Sequence, residues 1–313
     1  MDDRRRQTRD RSLSGQSVLS VRRAMKGWHA LMLVVLASPS AALTPLSVPL
    51  PGNLVEVPVA APGEVFIPPA ILDIPEDKHG DLVKLGRRIF IDTANLARRY
   101  GGNQLSCTHC HLSEGRKPNA APMWAAWGRY PRPGDTPGTV QTFEAQIQDC
   151  FHFNLNGQSP PLDSPEMQAL VAYSQWLATN APTRAELPGQ GFGAGGALAG
   201  APRGVAAASG SAKRGHALYR AQCLTCHGAN GQGIARQTAG YQFPPLWGAN
   251  SYSAGSKLAR PAVLAAYLQA NMPLGRGGSL SAQHAADIAA YVLAQPRPAD
   301  PRIGLLQRMR DTR

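Results

Sequence analysis

From Asp81 to Phe90 the apolar residues recur at helical spacing. Leu82, Leu85, Ile89 and Phe90 share one face, which predicts an amphipathic helix. A stronger pattern fills 163–178, DSPEMQALVAYSQWLA. There Asp163 is the predicted cap, Glu166 completes a capping box, and Pro165 suits the first turn, where a missing N–H is tolerated. KRGHALYRAQ at 213–222 opens another helix. SAQHAADIAAYVLAQ at 281–295 forms a last one and stops before Pro296, which cannot continue it. No alternating strand pattern of useful length is present, so the expected fold is all-α.

The helices fall into two sets. Each half reads helix, Cys-x-x-Cys-His, loops, then a helix carrying Ala-Tyr. His111 and Tyr173 are 62 residues apart, and His227 and Tyr291 are 64 apart. Such self-similarity predicts two related domains. Between them, PGQGFGAGGALAGAPRGVAAASGSA at 188–212 is rich in Gly, Ala and Pro and reads as a linker. The expected order is a Pro- and Val-rich lead-in at 43–64, a first domain at 65–187, the linker, a second domain at 213–298 and a tail at 299–313.

Charge changes this picture little. The formal net charge is +12, and residues 1–42 carry +5 of it from eight basic and three acidic residues. The other basic residues are scattered, without the aromatic-interleaved run of a nucleic-acid face, so no nucleic-acid partner is expected. The apolar run WHALMLVVLA at 28–37 follows Arg22, Arg23 and Lys26, and small residues with Ser40 and Ala42 at an A-x-A-like site come after it. That layout makes 1–42 a removable signal peptide and predicts export to the periplasm. The run is too short to span a bilayer comfortably, so no stable membrane insertion is expected.

The cysteines define the chemistry. Four of the five lie in two motifs, CTHCH at 107–111 and CLTCH at 223–227. This spacing is the attachment signature of c-type haem. Cys107 and Cys110, like Cys223 and Cys226, can each add to a vinyl group on one porphyrin edge, and the adjacent His111 or His227 becomes the proximal iron ligand. A redox dithiol needs no following histidine, and a zinc site would need four ligands close in space. Two covalently bound haem c groups are therefore expected.

Each low-spin iron also needs a sixth ligand. In the second half Met272 is the only methionine between His227 and Arg308 and lies 45 residues past His227, with Lys257 the next candidate. In the first half the candidates are Met123, Cys150, His152 and Met167. Met167 belongs to a predicted helix and reads as core. Cys150 lies 39 residues past His111, near the place that Met272 holds in its own half, while His152 would give bis-histidine ligation. A thiolate at iron lowers the potential and leaves a sulfur nucleophile there. Arg116, Lys117, Arg129 and Arg132 cluster near this haem as candidate contacts for an anion.

The segments CTHCHLSEGRKPNAAP, QIQDCFHFNLNG, LDSPEMQALVAYSQWL, YQFPPLWG, NMPLG and DIAAYV occur in this order and resemble the dihaem thiosulfate dehydrogenases over roughly residues 65–298. The resemblance implies two cytochrome c folds, a catalytic haem between His111 and Cys150, and an electron-exit haem between His227 and Met272. Cys150 is then the catalytic residue, with Arg116 and Lys117 the candidate substrate contacts. It further implies a small sulfur-oxyanion substrate and an acceptor c-type cytochrome or similar carrier. Where that family commonly has Arg on either side of the ligating Cys, this chain has Gln146 and Phe153. Loss of two bidentate cations weakens the case for a dianionic substrate and keeps open a second reading, an electron-transfer cytochrome without substrate chemistry of its own.

Overall fold

The computed structural model describes residues 64–134, 137–193 and 209–303. The expected signal peptide, nearly all of the lead-in, the middle of the linker and the end of the tail lie outside these residues. The first half contains helices α1 (Lys78–Ile91), α2 (Thr93–Leu96), α3 (Leu112–Gly115), α4 (Met123–Ala126), α5 (Phe143–Phe153) and α6 (Pro165–Leu177). The second contains α7 (Ala212–Gln222), α8 (Leu224–His227), α9 (Pro261–Asn271) and α10 (Ala282–Leu293). Two small antiparallel hairpins, absent from the sequence expectation, accompany them. Strand β1 (Arg132–Pro133) pairs with β2 (Val140–Gln141), and β3 (Ile234–Ala235) pairs with β4 (Tyr241–Phe243). They are too short to show a period of two.

The caps explain the helix starts. Asp77 accepts the Gly80 amide at 2.7 Å and begins α1 ahead of its first apolar residue. At α6 the cap is Ser164, whose Oγ accepts the Met167 amide at 3.2 Å, and not Asp163. The reason is local: a residue before proline is driven to extended backbone, which is the capping conformation, and Ser164 sits at φ −69°, ψ 145°. Glu166 completes no capping box here. It pairs with Arg99 at 2.8 Å instead. Ser211 and Ser281 cap α7 and α10 in the same way as Ser164.

The two halves repeat one helix crossing. In the first, α1 packs on α6; in the second, α7 packs on α10. Each half has its own apolar cluster. Val83, Trp124, Phe151, Tyr173 and Leu177 anchor the first, and Tyr219, Leu264, Ile288 and Val292 the second. The clusters meet at the first Cys-x-x-Cys-His. Cys107 leans on the first cluster, whereas Cys110 and Leu112 lean on the second.

A loop of the second half also grips the end of α5. The Ser253 amide and hydroxyl both donate to Phe153 O at 2.9 Å, and Asn103 and Asn156 both donate to Ser251 O. These bonds supply partners to backbone groups that a helix end leaves unpaired. The start of the predicted linker is equally engaged. Asn119 N donates to Gly189 O and Ala121 N to Gly191 O, both at 2.6 Å, so residues 189–193 run antiparallel to 119–121 as part of the wall around the first site.

Candidate haem sites

His111 is held by one short bond. Its Nδ1 lies 2.6 Å from Ala121 O. A carbonyl only accepts, so Nδ1 carries the proton and Nε2 keeps its lone pair. Burial holds the imidazole pKa below its ordinary value and so keeps the ring neutral, the form that binds iron. His227 repeats the arrangement, with Nδ1 2.8 Å from Pro244 O and burial again favouring the neutral ring. A carbonyl on the second ring nitrogen is the usual way that a protein orients a metal-binding histidine.

The intervening His109 has the opposite tautomer. Its Nδ1 accepts the Ser106 amide at 2.9 Å, so Nε2 carries the proton and donates to Tyr241 O at 3.0 Å. Tyr241 belongs to β4 of the second half, just before the carbonyl that orients His227.

A cavity of about 320 Å³ opens beside His111. Its walls include Phe90, Leu105, Cys107, Cys110, Cys150, Phe192 and Leu258. Burial pushes the Cys107 and Cys110 thiols up to about 12, as expected of sulfurs in an apolar slot. The cavity, its two thiols and an imidazole with a bare Nε2 fit a covalently attached haem. Among the described residues no group of three or more His, Cys, Asp or Glu is arranged to hold a separate metal ion.

Cys150 lines the same cavity as His111, and so does Met123. His152 is exposed and bonds Gly157 O at 3.1 Å, away from it, and Met167 is buried in the first core as expected. Burial pushes the Cys150 thiol up, while the Lys257 ammonium and the Gln146 carboxamide pull it back toward the charged form. Arg116 and Lys117 do not join the cavity: Arg116 reaches back to Pro68 O at 3.0 Å. The cations that line it are Arg129, Lys257, Arg260 and Arg302.

Two of these stand where the sequence lacks a guanidinium. Lys257 Nζ donates to Gln146 Oε1 at 3.0 Å, and Arg302 stacks over the Phe153 ring at 4.8 Å. Lys257 therefore serves the first site and is no candidate ligand in its own half. Sequence reasoning missed this role because 111 positions separate Lys257 from Gln146. In the second half, Met272 caps α9 and packs with Cys223 and Leu224 against the second core, whose motif carries His227.

Two Cys-x-x-Cys-His turns with oriented imidazoles, one in each of two all-α domains, define a dihaem c-type cytochrome carrying two covalently bound haem c groups. The family model for the SoxA/TsdA cytochrome c domain matches residues 94–182, and that for cytochrome C oxidase, cbb3-type, subunit III matches 210–292. The thiosulfate dehydrogenase of Stutzerimonas stutzeri is 42% identical over 239 residues, covering 76% of this chain and 75% of that protein. That of Allochromatium vinosum is 38% identical over 266 residues, covering 84% of this chain and 94% of its own. The solved thiosulfate dehydrogenase (TsdBA) of Marichromatium purpuratum matches with a TM-score of 0.70 at 38% identity, over 76% of this chain and 50% of that one, so this chain spans half of its length. The chain belongs to the thiosulfate dehydrogenase family of oxidoreductases.

Proposed function

We propose that the protein joins two thiosulfates into tetrathionate, or runs that reaction in reverse, with Cys150 as the reacting sulfur of the first site. The reading rests on one observation: His111, Cys150 and the cations Arg129, Lys257 and Arg260 line a single cavity. Cys107 and Cys110 would hold the first haem, with His111 and Cys150 on its iron. Cys223 and Cys226 would hold the second, with His227 and Met272. Bound haem c supplies a one-electron iron couple in each half.

The reaction balances without protons. One S–S bond forms between two dianions, and two electrons leave for external one-electron carriers, an acceptor c-type cytochrome or its equivalent. The side chains do the rest. Cationic groups in a low-dielectric cleft concentrate the dianions and offset their mutual repulsion. Phe90, Leu105 and Phe192 make the cavity apolar, and Phe90 and Phe192 lie beside the His111 ring. The signal-peptide layout of 1–42 supports work in the periplasm. Among the described residues no helix is long and apolar enough to cross a membrane.

The test is thiosulfate-dependent reduction of the purified holoprotein, with tetrathionate-dependent oxidation as its converse. Cys150→Ala should abolish both while the second haem stays reducible by a chemical reductant. If the wild type turns over no sulfur oxyanion but exchanges electrons rapidly with a partner cytochrome, it is a carrier and the proposal fails.

A further inference from the structure

Gln146, Cys150 and Asn154 lie one helical turn apart along α5 and its C-cap, so the two carboxamides flank the sulfur. The Gln146 oxygen is fully engaged. It accepts from Tyr130 Oη at 3.0 Å and from Lys257 Nζ at 3.0 Å. The opposite orientation would set the amide N–H groups against an ammonium, which cannot accept. The nitrogen end therefore faces the sulfur, with Nε2 3.8 Å from Cys150 Sγ. Asn154, on the other side, is held by the same loop: its Oδ1 accepts from Ser256 Oγ.

Ser256 and Lys257 are consecutive residues of the second half, in the loop whose Ser251 and Ser253 already clasp the end of α5. We propose that this loop pins the Gln146 carboxamide oxygen and thereby presents an N–H donor to the Cys150 sulfur, so that the second domain sets the electron density on the first domain's reactive thiolate. Gln146, Tyr130 and Lys257 are positioning residues in this scheme. It rests on the reading of Cys150 as the distal ligand given above.

Donors to a ligating sulfur draw charge from it and raise the potential of the bound iron. A higher potential favours taking electrons from thiosulfate over giving them to tetrathionate. The device also explains why glutamine works where the family commonly has a guanidinium. The cation is present but comes from Lys257, one amide removed from the sulfur.

The test is a double-mutant cycle on the holoprotein, read by spectropotentiometry and electron paramagnetic resonance. Gln146→Met should lower the midpoint of the first haem by a tenfold change in its reduction equilibrium, about 59 mV for one electron, and should shift the thiolate signal. Lys257→Met should move both in the same direction, and Lys257→Arg, which keeps a donor, should restore them. The second haem is the internal control and should not move. On the Gln146→Met background, Lys257→Met should add much less than it does alone. Full additivity would give Lys257 a plain Coulombic role and overturn the pinning, as would an unchanged midpoint in Gln146→Met. A wild type with no thiolate signal would overturn the ligand assignment itself, and this inference with it. Should Gln146→Met not fold, Lys257→Met against Lys257→Arg still decides: equal midpoints overturn the proposal.

Discussion

Gly86 and Gly215 hold the same place in the two halves. A Cβ on Gly86 would overlap the Ala169 carbonyl and come within 2.8 Å of Tyr173 Cβ. A Cβ on Gly215 would overlap the Asp287 carbonyl and come within 2.8 Å of Tyr291 Cβ. Each glycine lets a first helix lie directly on the backbone of a last one, and the tyrosine covers the crossing. Alanine at either site should destabilise by about 1–3 kcal/mol, because a packed crossing has no room to relax. Thermal or denaturant unfolding of Gly86→Ala and Gly215→Ala measures this, and wild-type stability in both would remove the crossing from the account of the fold.

Met272 is expected to ligate the second iron. Met272→Ala should abolish the sulfur-to-iron charge-transfer band in the red and lower that haem's potential, since a thioether raises it. The first haem should keep its spectrum. A variant with an intact band would move the ligand elsewhere in the second half.

The two attachment motifs should act independently in haem loading. Cys223→Ser with Cys226→Ser should leave one covalent haem per chain, detected by intact mass and by haem staining of a denaturing gel. Two covalent haems in this variant would contradict the assignment.

Asp287 predicts a pH dependence of stability. Its side chain is 2% exposed and accepts two bonds from Arg214 at 2.7 Å, one from the Ser211 amide at 2.7 Å and one from Gln283 at 2.9 Å. Chiefly through Arg214, these donors hold its pKa down to about 2. A carboxyl depressed in the folded state contributes stability that is present above its ordinary value near 4 and is lost as pH falls from there through about 2. Asp287→Asn should therefore lower stability at pH 7 by about 1–3 kcal/mol, with the difference from wild type closing toward pH 2. A pH-independent difference would mean that packing, not charge, is what the mutation removes.

The haem motifs and the two-domain plan were legible because they depend on short, local spacing. So were α1, α6, α7 and α10, each with an apolar face or a clear cap. Helix α5 was missed, although Thr142 caps it by accepting the Ala145 amide at 3.1 Å. Only Phe143, Ile147 and Phe151 of its eleven residues are buried in the first core, and polar Gln146, Gln148 and Asp149 stand between them, so the apolar stripe is narrow. Helix α9 was missed for the opposite reason: Val263 through Leu268 are all buried, and a helix apolar on every side has no amphipathic period. Asp163 was taken for a cap because the effect of Pro165 on Ser164 was given too little weight. That Cys150 would lie near His111 could be read from its place in the chain, and the two line one cavity. The place of Lys257 could not be read so, since only tertiary contact brings it to Gln146.

The boundary that Cys107 and Cys110 straddle has a consequence for how such a protein can change. A domain with its own core can in principle fold alone and be lost, swapped or fused elsewhere. Here Ser256, Lys257 and Leu258 of the second half line the cavity beside His111, and Ser251 and Ser253 hold the end of α5. The first half, separated from them, would lose the Ser253 partner of Phe153, the Lys257 partner of Gln146 and part of the wall beside Cys150. The two halves therefore cannot be exchanged piecemeal: any replacement for the second would have to bring a loop that fits the end of α5.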